Sequence, residues 1–309
     1  MKVLVTGGAG FIGSHIVEHF QGKADEIRVL DNLRSGYREN LQGLEHTFIE
    51  GSVTDRTAVR EAVDGVDYIF HMAAMISVPE SMEKPIECVE INTTGTLVVL
   101  EEATKAGVKK MCFSSSAANY GDNPEVPKVE TMLPEPKSPY AITKLDGEYY
   151  CDMFTREGKL DTGVVRYFNV FGPRQDPGSA YAAAVPIFID KAAKNETITI
   201  FGDGEQTRDF TFVENVVDAN LAGTEAPNCA GRVFNIACGA RITVNRLAEL
   251  LGEYLGVRVP AVHVERRPGD VMHSLADIGA ARDGLGYEPG IGVEDGLRRY
   301  CRYVVEGET

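Results

Sequence analysis

A phenol and an ammonium group stand four residues apart in the stretch Ser138–Lys144. Tyr140 and Lys144 share one helix face, because Pro139 suits a first helical turn and a helical pattern continues to Gly158. A lysine held beside a tyrosine hydroxyl favours the phenolate and lowers the pKa of the phenol. The pair predicts a general base for an alcohol or sugar hydroxyl. Since a tyrosine can also simply pack on a lysine stem, the rest of the sequence has to decide.

A run of glycines follows a short apolar segment at the start of the chain. Lys2–Thr6 is rich in β-branched residues and predicts a buried parallel strand, and a helical pattern follows the glycines. Gly8, Gly10 and Gly13 satisfy the GxGxxG spacing, and Gly7 satisfies GxxGxxG with the last two. Glycines allow a tight turn and bring the backbone close to a pyrophosphate at the helix N-terminus. The order of strand, glycines and helix predicts a dinucleotide-binding loop.

An acidic residue stands where such a loop needs one. Ile27–Leu30 predicts a second strand that ends in Asp31 and Asn32, and Asp31 lies eighteen residues after Gly13. A carboxylate at this spacing binds the hydroxyls of the adenosine ribose and would repel the additional phosphate of NADP. Arg34 is a counter-signal, because an arginine nearby accommodates that phosphate. The balance predicts NAD as the cofactor.

Length and charge restrict the possible classes of function. The 309 residues, 43% of them hydrophobic, suffice for one large domain or two modest ones with a sizeable core. A net charge of -15 argues against nucleic acid or an anionic membrane surface as a partner. The six cysteines form no CxxC pair, which predicts a reduced, cytoplasmic protein without a metal site. We identify no signal peptide or membrane span, and His15 and His19 lack a third metal ligand.

Strand and helix patterns alternate through the first half of the chain. Further strands are predicted at Phe48–Ser52 (a strand and turn), Val66–His71, Lys110–Phe113 and Val164–Phe168, and a helix is predicted to open at Asn92–Gly95. This alternation predicts an α/β fold with a Rossmann-type, doubly wound parallel sheet. In such sheets ligands collect at the carboxyl ends of the strands.

Five motifs together resemble the extended short-chain dehydrogenase/reductase family, and within it the nucleotide-sugar 4-epimerases. They are TGGAGFIGS at 6–14, DNLRSG at 31–36, HMAA at 71–74, SSSAANYG at 114–121 and YAITK at 140–144. The resemblance implies an NAD-dependent enzyme acting on a UDP-sugar, and a homodimer formed through helices at about 92–106 and 140–157.

The same resemblance implies a division of the chain. Residues 1–168 would form the NAD-binding Rossmann domain, to which about 209–232 return. Residues 169–309 would form a smaller C-terminal α/β domain for the UDP-sugar. Dense proline and glycine place the change of lobe around 168–178.

Site residues follow from the resemblance position by position. Ser116, Tyr140 and Lys144 match the catalytic residues of the family. The implied cofactor contacts are Gly7, Gly10, Phe11, Ile12, Gly13, Asp31, Asn32, Ser52, Val53, Ala73, Ala74, Asn92, Tyr140, Lys144 and Tyr167. Ser52 stands where relatives often carry an aspartate that contacts the adenine.

Substrate contacts are implied in the second half of the chain. Arg208, Arg267 and Asn169 match residues that bind the diphosphate, and guanidinium groups suit phosphate oxygens as forked, charged donors. Asp270 matches a contact to the uridine ribose, and Phe201 lies in the segment expected near the uracil.

Two alanines indicate which reaction Tyr140 and Lys144 perform, and one serine indicates the size of the sugar. Dehydratases of the family carry an Asp-Glu pair after the catalytic hydroxyl residue, and decarboxylases carry a glutamate, whereas this chain has Ala117 and Ala118. Neither alanine transfers a proton, so reversible oxidation at C4 is favoured over elimination. Ser274 stands where a tyrosine would exclude an acetamido group.

We therefore expect interconversion of UDP-GlcNAc and UDP-GalNAc through a transient 4-keto sugar, with UDP-Glc and UDP-Gal as further possible substrates. The alternatives are a UDP-glucuronate 4-epimerase or decarboxylase and, more remotely, a non-catalytic dinucleotide-binding regulator.

Overall fold

The computed structural model describes residues 1–178, 183–227, 229–266 and 271–307. Its strands are β1 (Lys2–Thr6), β2 (Glu26–Asp31), β3 (Thr47–Glu50), β4 (Tyr68–His71), β5 (Lys110–Ser116), β6 (Asp161–Tyr167), β7 (Val170–Phe171), β8 (Ile198–Phe201), β9 (Thr207–Arg208), β10 (Thr211–Phe212), β11 (Arg232–Ile236), β12 (Ile242–Thr243) and β13 (Ala261–Val264). Its α-helices are α1 (Phe11–His19), α2 (Arg56–Val63), α3 (Val78–Glu83), α4 (Pro85–Val89), α5 (Gly95–Ala106), α6 (Pro139–Arg156), α7 (Ala184–Ala193), α8 (Val213–Glu225), α9 (Val244–Leu255), α10 (Gly279–Leu285) and α11 (Val293–Glu306).

A parallel sheet of seven strands carries the first lobe. The strand order is β11-β6-β5-β4-β1-β2-β3, so the direction of winding reverses between β1 and β4. In this architecture the crevice at the reversal, outside the carboxyl ends of the strands, is where ligands bind. The predicted α/β fold with a doubly wound parallel sheet is confirmed.

Helices cover both faces of this sheet. On one face, α1, α8 and α10 pack around buried residues such as Ile16, Val217 and Ala281. On the other face, α2, α5 and α6 enclose a second cluster that includes Leu100 and Cys151. Both faces of the central strands are covered, so β1 is buried from Val3 to Thr6 and β5 from Lys110 to Ser115.

Two predicted boundaries differ from the observed ones. Strand β5 extends to Ser116 rather than ending at Phe113, because Ser114, Ser115 and Ser116 continue the parallel register with β6. The helix predicted to open at Asn92 begins earlier, since α4 continues through a π-helical stretch at Glu90–Thr94 into α5. The chain there has no residue that would stop a helix.

Short strands and three helices form the second lobe. Strands β8 and β13 pair in parallel, while two-residue strands pair as β7 with β10 and β9 with β12. Helices α7, α9 and α11 pack around a third apolar cluster that contains Phe188, Leu250 and Leu297. Strand β11 and helix α10 lie on the large sheet although they follow much of this lobe in the sequence, so the chain returns to the first lobe more than once.

Within the described residues no helix has the length and apolar character needed to cross a membrane. In the same part of the chain, His, Cys, Asp and Glu side chains form no group of three or more that could hold a metal ion.

Candidate active site

The glycine-rich loop joins β1 to α1 with very little free space. Gly7 adopts φ +69°, in the left-handed region, and a Cβ there would lie 2.7 Å from the backbone nitrogen of Ala73. A Cβ on Gly13 would lie 2.2 Å from the carbonyl oxygen of Gly7. Side chains are excluded at both positions, which leaves the backbone at the start of α1 open to a diphosphate.

Asp31 lies at the carboxyl end of β2, directly beside this loop. Its Oδ2 accepts a hydrogen bond from the N–H of Ala9 at 2.9 Å, and its Oδ1 accepts one from Leu33 at 2.8 Å. Burial raises the pKa of this carboxyl, and the two backbone donors oppose that effect. The carboxylate therefore supports the loop and stands at the place where an adenosine ribose binds in such sheets.

Arg34 is engaged by two carboxylates. Its guanidinium contacts Glu80 at 2.8 Å and also pairs with Glu87. Glu80 lies on the short helix α3 and Glu87 on the short helix α4. Because these carboxylates already offset its charge, Arg34 does not favour the additional phosphate of NADP. Arg34 therefore no longer argues against NAD as the cofactor.

A cleft of about 940 Å³ runs along the carboxyl ends of the strands. It brings together all but one of the predicted cofactor residues, namely Gly7, Gly10, Phe11, Ile12, Gly13, Asp31, Asn32, Ser52, Val53, Ala73, Ala74, Tyr140, Lys144 and Tyr167. Glycines, a carboxylate at the end of β2 and an open helix N-terminus in one cleft fit a dinucleotide. Tyr167 borders it with its hydroxyl donating to Asn220 Oδ1 at 2.8 Å.

Asn92, the remaining predicted cofactor residue, lies buried behind the cleft. Its Oδ1 accepts from the N–H of Met75 at 2.7 Å, and its Nδ2 donates to Thr143 Oγ1 at 3.0 Å. Thr143 precedes Lys144, so the Asn92 amide connects the loop after β4 to the helix that carries the candidate base. The described contacts of Asn92 are therefore those of a positioning residue.

Two serines fix the N-terminus of helix α6. Ser138 Oγ caps it by accepting from the N–H of Ala141 at 3.2 Å. Ser81, on α3, accepts from the N–H of Tyr140 at the same distance. These bonds satisfy two donors that the first turn of a helix leaves without partners. Tyr140 thus projects from a helix end that is held both locally and from a neighbouring helix.

Tyr140, Ser116 and Lys144 meet where α6 crosses the end of β5. The side chain of Ser116 lies close enough to the Tyr140 hydroxyl to lower the pKa of the phenol. Lys144 Nζ donates to the carbonyl oxygen of Ser114 at 2.7 Å and lies 5.9 Å from the centroid of the Tyr140 ring. Burial lowers the pKa of Lys144 to about 8. The three predicted catalytic residues are therefore brought together.

One expectation about this group is wrong. We predicted that Lys144 would lower the pKa of the Tyr140 phenol, but burial raises that pKa, and the nearby side chain of Ser116 offsets only part of the effect. The Lys144 ammonium is directed to the backbone of Ser114, so it stabilises the phenolate less than the spacing suggested. Ser114 could not be selected from the sequence, where it is one of three consecutive serines.

The buried His71 connects the end of β1, directly before the glycine loop, to helix α5. Thr6 Oγ1 lies 2.7 Å from His71 Nδ1, and His71 Nε2 lies 3.0 Å from Thr96 Oγ1. Thr96 donates to the carbonyl of Asn92 at 2.6 Å, so its oxygen accepts from Nε2–H and the imidazole is neutral with its proton on Nε2. Burial lowers the pKa of His71 to about 3.

The predicted substrate residues lie in the second lobe, and several converge. Asn169 Nδ2 donates to Ser274 Oγ at 3.4 Å and to the carbonyl oxygen of Asp209 at 2.9 Å. Arg208 is the last residue of β9 and directly precedes Asp209. Phe201 is the last residue of β8, and its carbonyl oxygen accepts a hydrogen bond from Gln206 Nε2 at 2.7 Å. The predicted contacts Arg267 and Asp270 lie outside the described residues.

Sequence reasoning missed two residues at the edge of the cleft. Arg174 and Gln175 line it, and Arg174 adopts φ +64°. Arg174 Nη1 and Gln175 Oε1 are buried without hydrogen-bond partners among the described residues. The motif FGPRQ contains both residues, and its charged and amide side chains next to Gly-Pro were the signal that could have found them.

Residues 3–237 match the family described as the NAD dependent epimerase/dehydratase family. The chain belongs to this family. The resemblance inferred from the five motifs is confirmed, and NAD is the cofactor.

Relatives cover nearly the whole chain. A putative UDP-glucose 4-epimerase of Methanocaldococcus jannaschii is 37% identical over 98% of both chains. A solved UDP-glucose 4-epimerase of Thermotoga maritima with UDP-glucose is 42% identical, with a TM-score of 0.94 over 99% of both chains. A UDP-N-acetylglucosamine 4-epimerase of Methanobrevibacter ruminantium in complex with UDP-N-acetylmuramic acid is 38% identical, also with a TM-score of 0.94 over 99% of both chains.

Another relative differs in its named reaction. A UDP-N-acetyl-alpha-D-glucosaminuronate decarboxylase of Bacillus cytotoxicus is 32% identical over 100% of this chain and 99% of its own. The 4-epimerases among the relatives nevertheless make this chain an isomerase of the UDP-sugar 4-epimerase family.

Proposed function

We propose that the protein interconverts UDP-GlcNAc and UDP-GalNAc at C4 through a transient 4-keto sugar, and that it also accepts UDP-Glc and UDP-Gal. The observation that carries the proposal is the convergence of Tyr140, Ser116 and Lys144 at the end of β5, where Tyr140 and Lys144 line the cleft. A phenol beside a bound NAD can exchange a proton with a sugar hydroxyl while the adjacent carbon is oxidised and reduced.

Tyr140, Ser116 and Lys144 have different roles in this reaction. Tyr140, as phenolate, takes the proton from O4 of the hexose, and Ser116 hydrogen-bonds to that oxygen. Lys144, held by the Ser114 carbonyl, contacts the nicotinamide ribose, and its charge lies 5.9 Å from the centre of the Tyr140 ring, where it assists the phenolate only weakly. The glycine loop and Asp31 would hold NAD in the cleft, and the bound cofactor would supply the hydride acceptor and donor for C4.

Inversion requires the two ends of the substrate to be held differently. Arg208, Arg267 and Asn169 bind the diphosphate, and Asp270 and Phe201 contact the uridine. With the nucleotide anchored, the 4-keto hexose turns about its diphosphate linkage, presents its other face and is reduced there. Tyr140 then returns the proton to O4.

Ala117 and Ala118 support epimerisation over the other reactions of the family. They follow Ser116 directly in a short 3-10 turn, Ala117–Tyr120. Neither side chain can donate or accept a proton, so no acid or base for eliminating water is available at these positions. The remaining chemistry moves one hydride away from C4 and back.

Ser274 supports use of the acetylated sugars. Its hydroxyl lies beside Asn169, and its small, half-buried side chain leaves room that a tyrosine would fill. A small residue permits an acetamido group without excluding a plain hydroxyl, which is why both sugar classes are included in the proposal.

The deciding experiment incubates the purified protein, without added NAD, with each of UDP-GlcNAc, UDP-GalNAc, UDP-Glc and UDP-Gal, and separates the products. We expect each acetylated sugar to yield its C4 epimer. UDP-glucuronate in a parallel reaction tests the second candidate, the glucuronate epimerase or decarboxylase suggested by the relative above. Conversion of UDP-glucuronate alone, or release of CO₂, would contradict the proposal, and no conversion of any sugar would favour a non-catalytic regulator.

We also propose a homodimer. Helices α4 and α6 expose apolar side chains side by side: Ile86 (71% exposed), Val89, Ile142, Tyr149 (60%) and Met153. Helix α6 is the second of the two helices that the family resemblance implied for the interface, at about 140–157, whereas α4 precedes the first, at about 92–106. Light scattering should give twice the monomer mass, and Tyr149→Glu should shift it toward the monomer. A wild-type monomer would contradict the proposal.

A cytoplasmic location and the division into residues 1–168 and 169–309 also stay proposals. All six cysteines are free, which suits a reducing compartment. The third apolar cluster, under the short strands, supports a separate substrate lobe.

A further inference from the structure

Asp209 is a fully buried carboxylate that the mechanism above does not use. Its Oδ1 accepts a hydrogen bond from the N–H of Cys238 at 3.0 Å. Its Oδ2 accepts from Gly239 at 3.1 Å and from Ala276 at 3.2 Å. These donors lie 29 and more residues away in sequence, so this one side chain holds two distant segments against β9.

One of the two segments that the Asp209 carboxylate holds carries a predicted substrate contact. Ser274 is two residues before Ala276, and its N–H donates to the Thr207 carbonyl at 3.0 Å. On the other side, the carbonyl oxygen of Asp209 accepts from Asn169 Nδ2 at 2.9 Å. Arg208 is the residue immediately before Asp209. Asn169, Arg208 and Ser274 thus come from three chain segments whose shared point of attachment is Asp209.

Regular secondary structure does little to hold these segments. Strand β9 has two residues and pairs with the two-residue strand β12, and Thr207 forms an isolated bridge with His273. A fixed negative charge surrounded by backbone N–H groups can replace a strand ladder here, because hydrogen bonds to charged acceptors are about twice as strong as neutral ones. Burial raises the pKa of Asp209 to about 6, and the backbone donors act against that shift.

We propose that Asp209 is a positioning residue for nucleotide binding. Its carboxylate holds the segment of Ser274 beside Arg208, and its backbone carbonyl holds Asn169, so that the three residues keep the arrangement that binds the UDP-sugar. This inference rests on the proposed function. Asp209 acts on substrate affinity and leaves the proton and hydride transfers to residues of the first lobe.

Asp209→Asn tests the proposal with almost no change of volume. An amide NH₂ accepts no hydrogen bond, so the variant loses either the bond from Cys238 or the bonds from Gly239 and Ala276. We expect the Kd for UDP and the KM for the UDP-hexose to rise about tenfold or more, with kcat changed less than about threefold. The NAD content of the purified protein should stay at the wild-type level.

Asn215→Ala is the matched control. Asn215 is also buried, and it holds the distant Ile291 through bonds of 2.7 and 3.0 Å, but its described contacts include none of the three substrate residues. It should lower the melting temperature without raising KM. An Asp209→Asn protein with normal NAD content and unchanged KM would overturn the proposal, as would an equal rise in KM in the control.

Hydrogen exchange in the wild-type protein gives a second test that needs no variant. UDP binding should slow amide exchange at 237–240 and at 272–277 together, since both segments depend on one carboxylate. Protection of only one segment would overturn the proposal. If the wild-type protein does not bind UDP at all, the proposed function itself fails. If UDP binds equally well to wild type and to Asp209→Asn, only this inference fails.

Discussion

The two ends of the active-site cleft are built differently. At the cofactor end, the functional residues follow long parallel strands, and β1 alone shares five residue pairs with β2 and four with β4. At the substrate end, Asn169 and Arg208 adjoin two-residue strands. There a buried carboxylate takes the place of a hydrogen-bonded ladder.

This difference matches what the proposed reaction asks of each end. Hydride transfer needs a fixed distance between the cofactor and the base, and a rigid sheet edge supplies it. The hexose has to turn between oxidation and reduction, so its surroundings have to bind the nucleotide firmly and leave the sugar free. Substitutions at the cofactor end should therefore change turnover and NAD binding. Substitutions at the substrate end should change substrate affinity and selectivity.

Tyr140→Phe should have the largest effect. Removing the hydroxyl removes the general base, which contributes about 10²–10⁴-fold to such reactions, so turnover should fall about 10³-fold. NAD content should not change, because the ring remains in place. Tyr149→Phe, on the exposed side of the same helix, should keep wild-type turnover. Near-normal activity in Tyr140→Phe would remove Tyr140 as the base.

Gly13→Ala should act on NAD binding at the same end. The new Cβ would lie 2.2 Å from the Gly7 carbonyl oxygen, so the loop has to move. Such overpacking costs about 1–3 kcal/mol, and NAD retention through gel filtration should fall by about 10–100-fold. Gly290→Ala, where a Cβ meets nothing within 4 Å, is the control. Full retention of NAD by Gly13→Ala would show that the loop is not the diphosphate site.

Ser274→Tyr should change selectivity at the substrate end. A tyrosine would occupy the space proposed for the acetamido group, and kcat/KM for UDP-GlcNAc should drop at least about tenfold while that for UDP-Glc changes much less. Ser274→Cys keeps a small side chain and should preserve both activities. Equal losses on the two sugars would argue against Ser274 as the residue that sets the size of the pocket.

His71 should make the cofactor end sensitive to acid. Its pKa in the folded protein is lowered from 6.5 to about 3, so the neutral form is favoured and full stability holds above pH 6.5. As pH falls from 6.5 toward 3, this residue alone should lower the free energy of unfolding by about 1.4 kcal/mol per pH unit.

Urea unfolding between pH 7.5 and 5 measures this effect. The difference between wild type and His71→Gln should shrink by about 2 kcal/mol over the range, because only the wild type has the titrating imidazole. His263→Gln, at an exposed histidine, should run parallel to the wild type. A pH-independent difference for His71→Gln would mean that the buried imidazole is not what titrates.

The cofactor end was the more predictable from sequence. Its signals are local, since glycine spacing, a following helix and an acid after the next strand all lie within 31 residues. The cleft accordingly contains nearly every residue predicted to contact NAD. The substrate end was predicted only through family resemblance, because single arginines and serines carry no pattern. Asp209 in particular had no signal, as its partners lie 29 and 67 residues away.

The α/β architecture, the dinucleotide loop and the placement of Tyr140 and Lys144 on one helix face could be predicted from local patterns, because periodicity and glycine spacing act over short stretches of chain. The contact of Lys144 with Ser114, the raised pKa of Tyr140 and the attachment of distant segments to Asp209 could not. Each of these depends on burial and on which distant segments meet, and those are properties of the packed chain rather than of any local pattern.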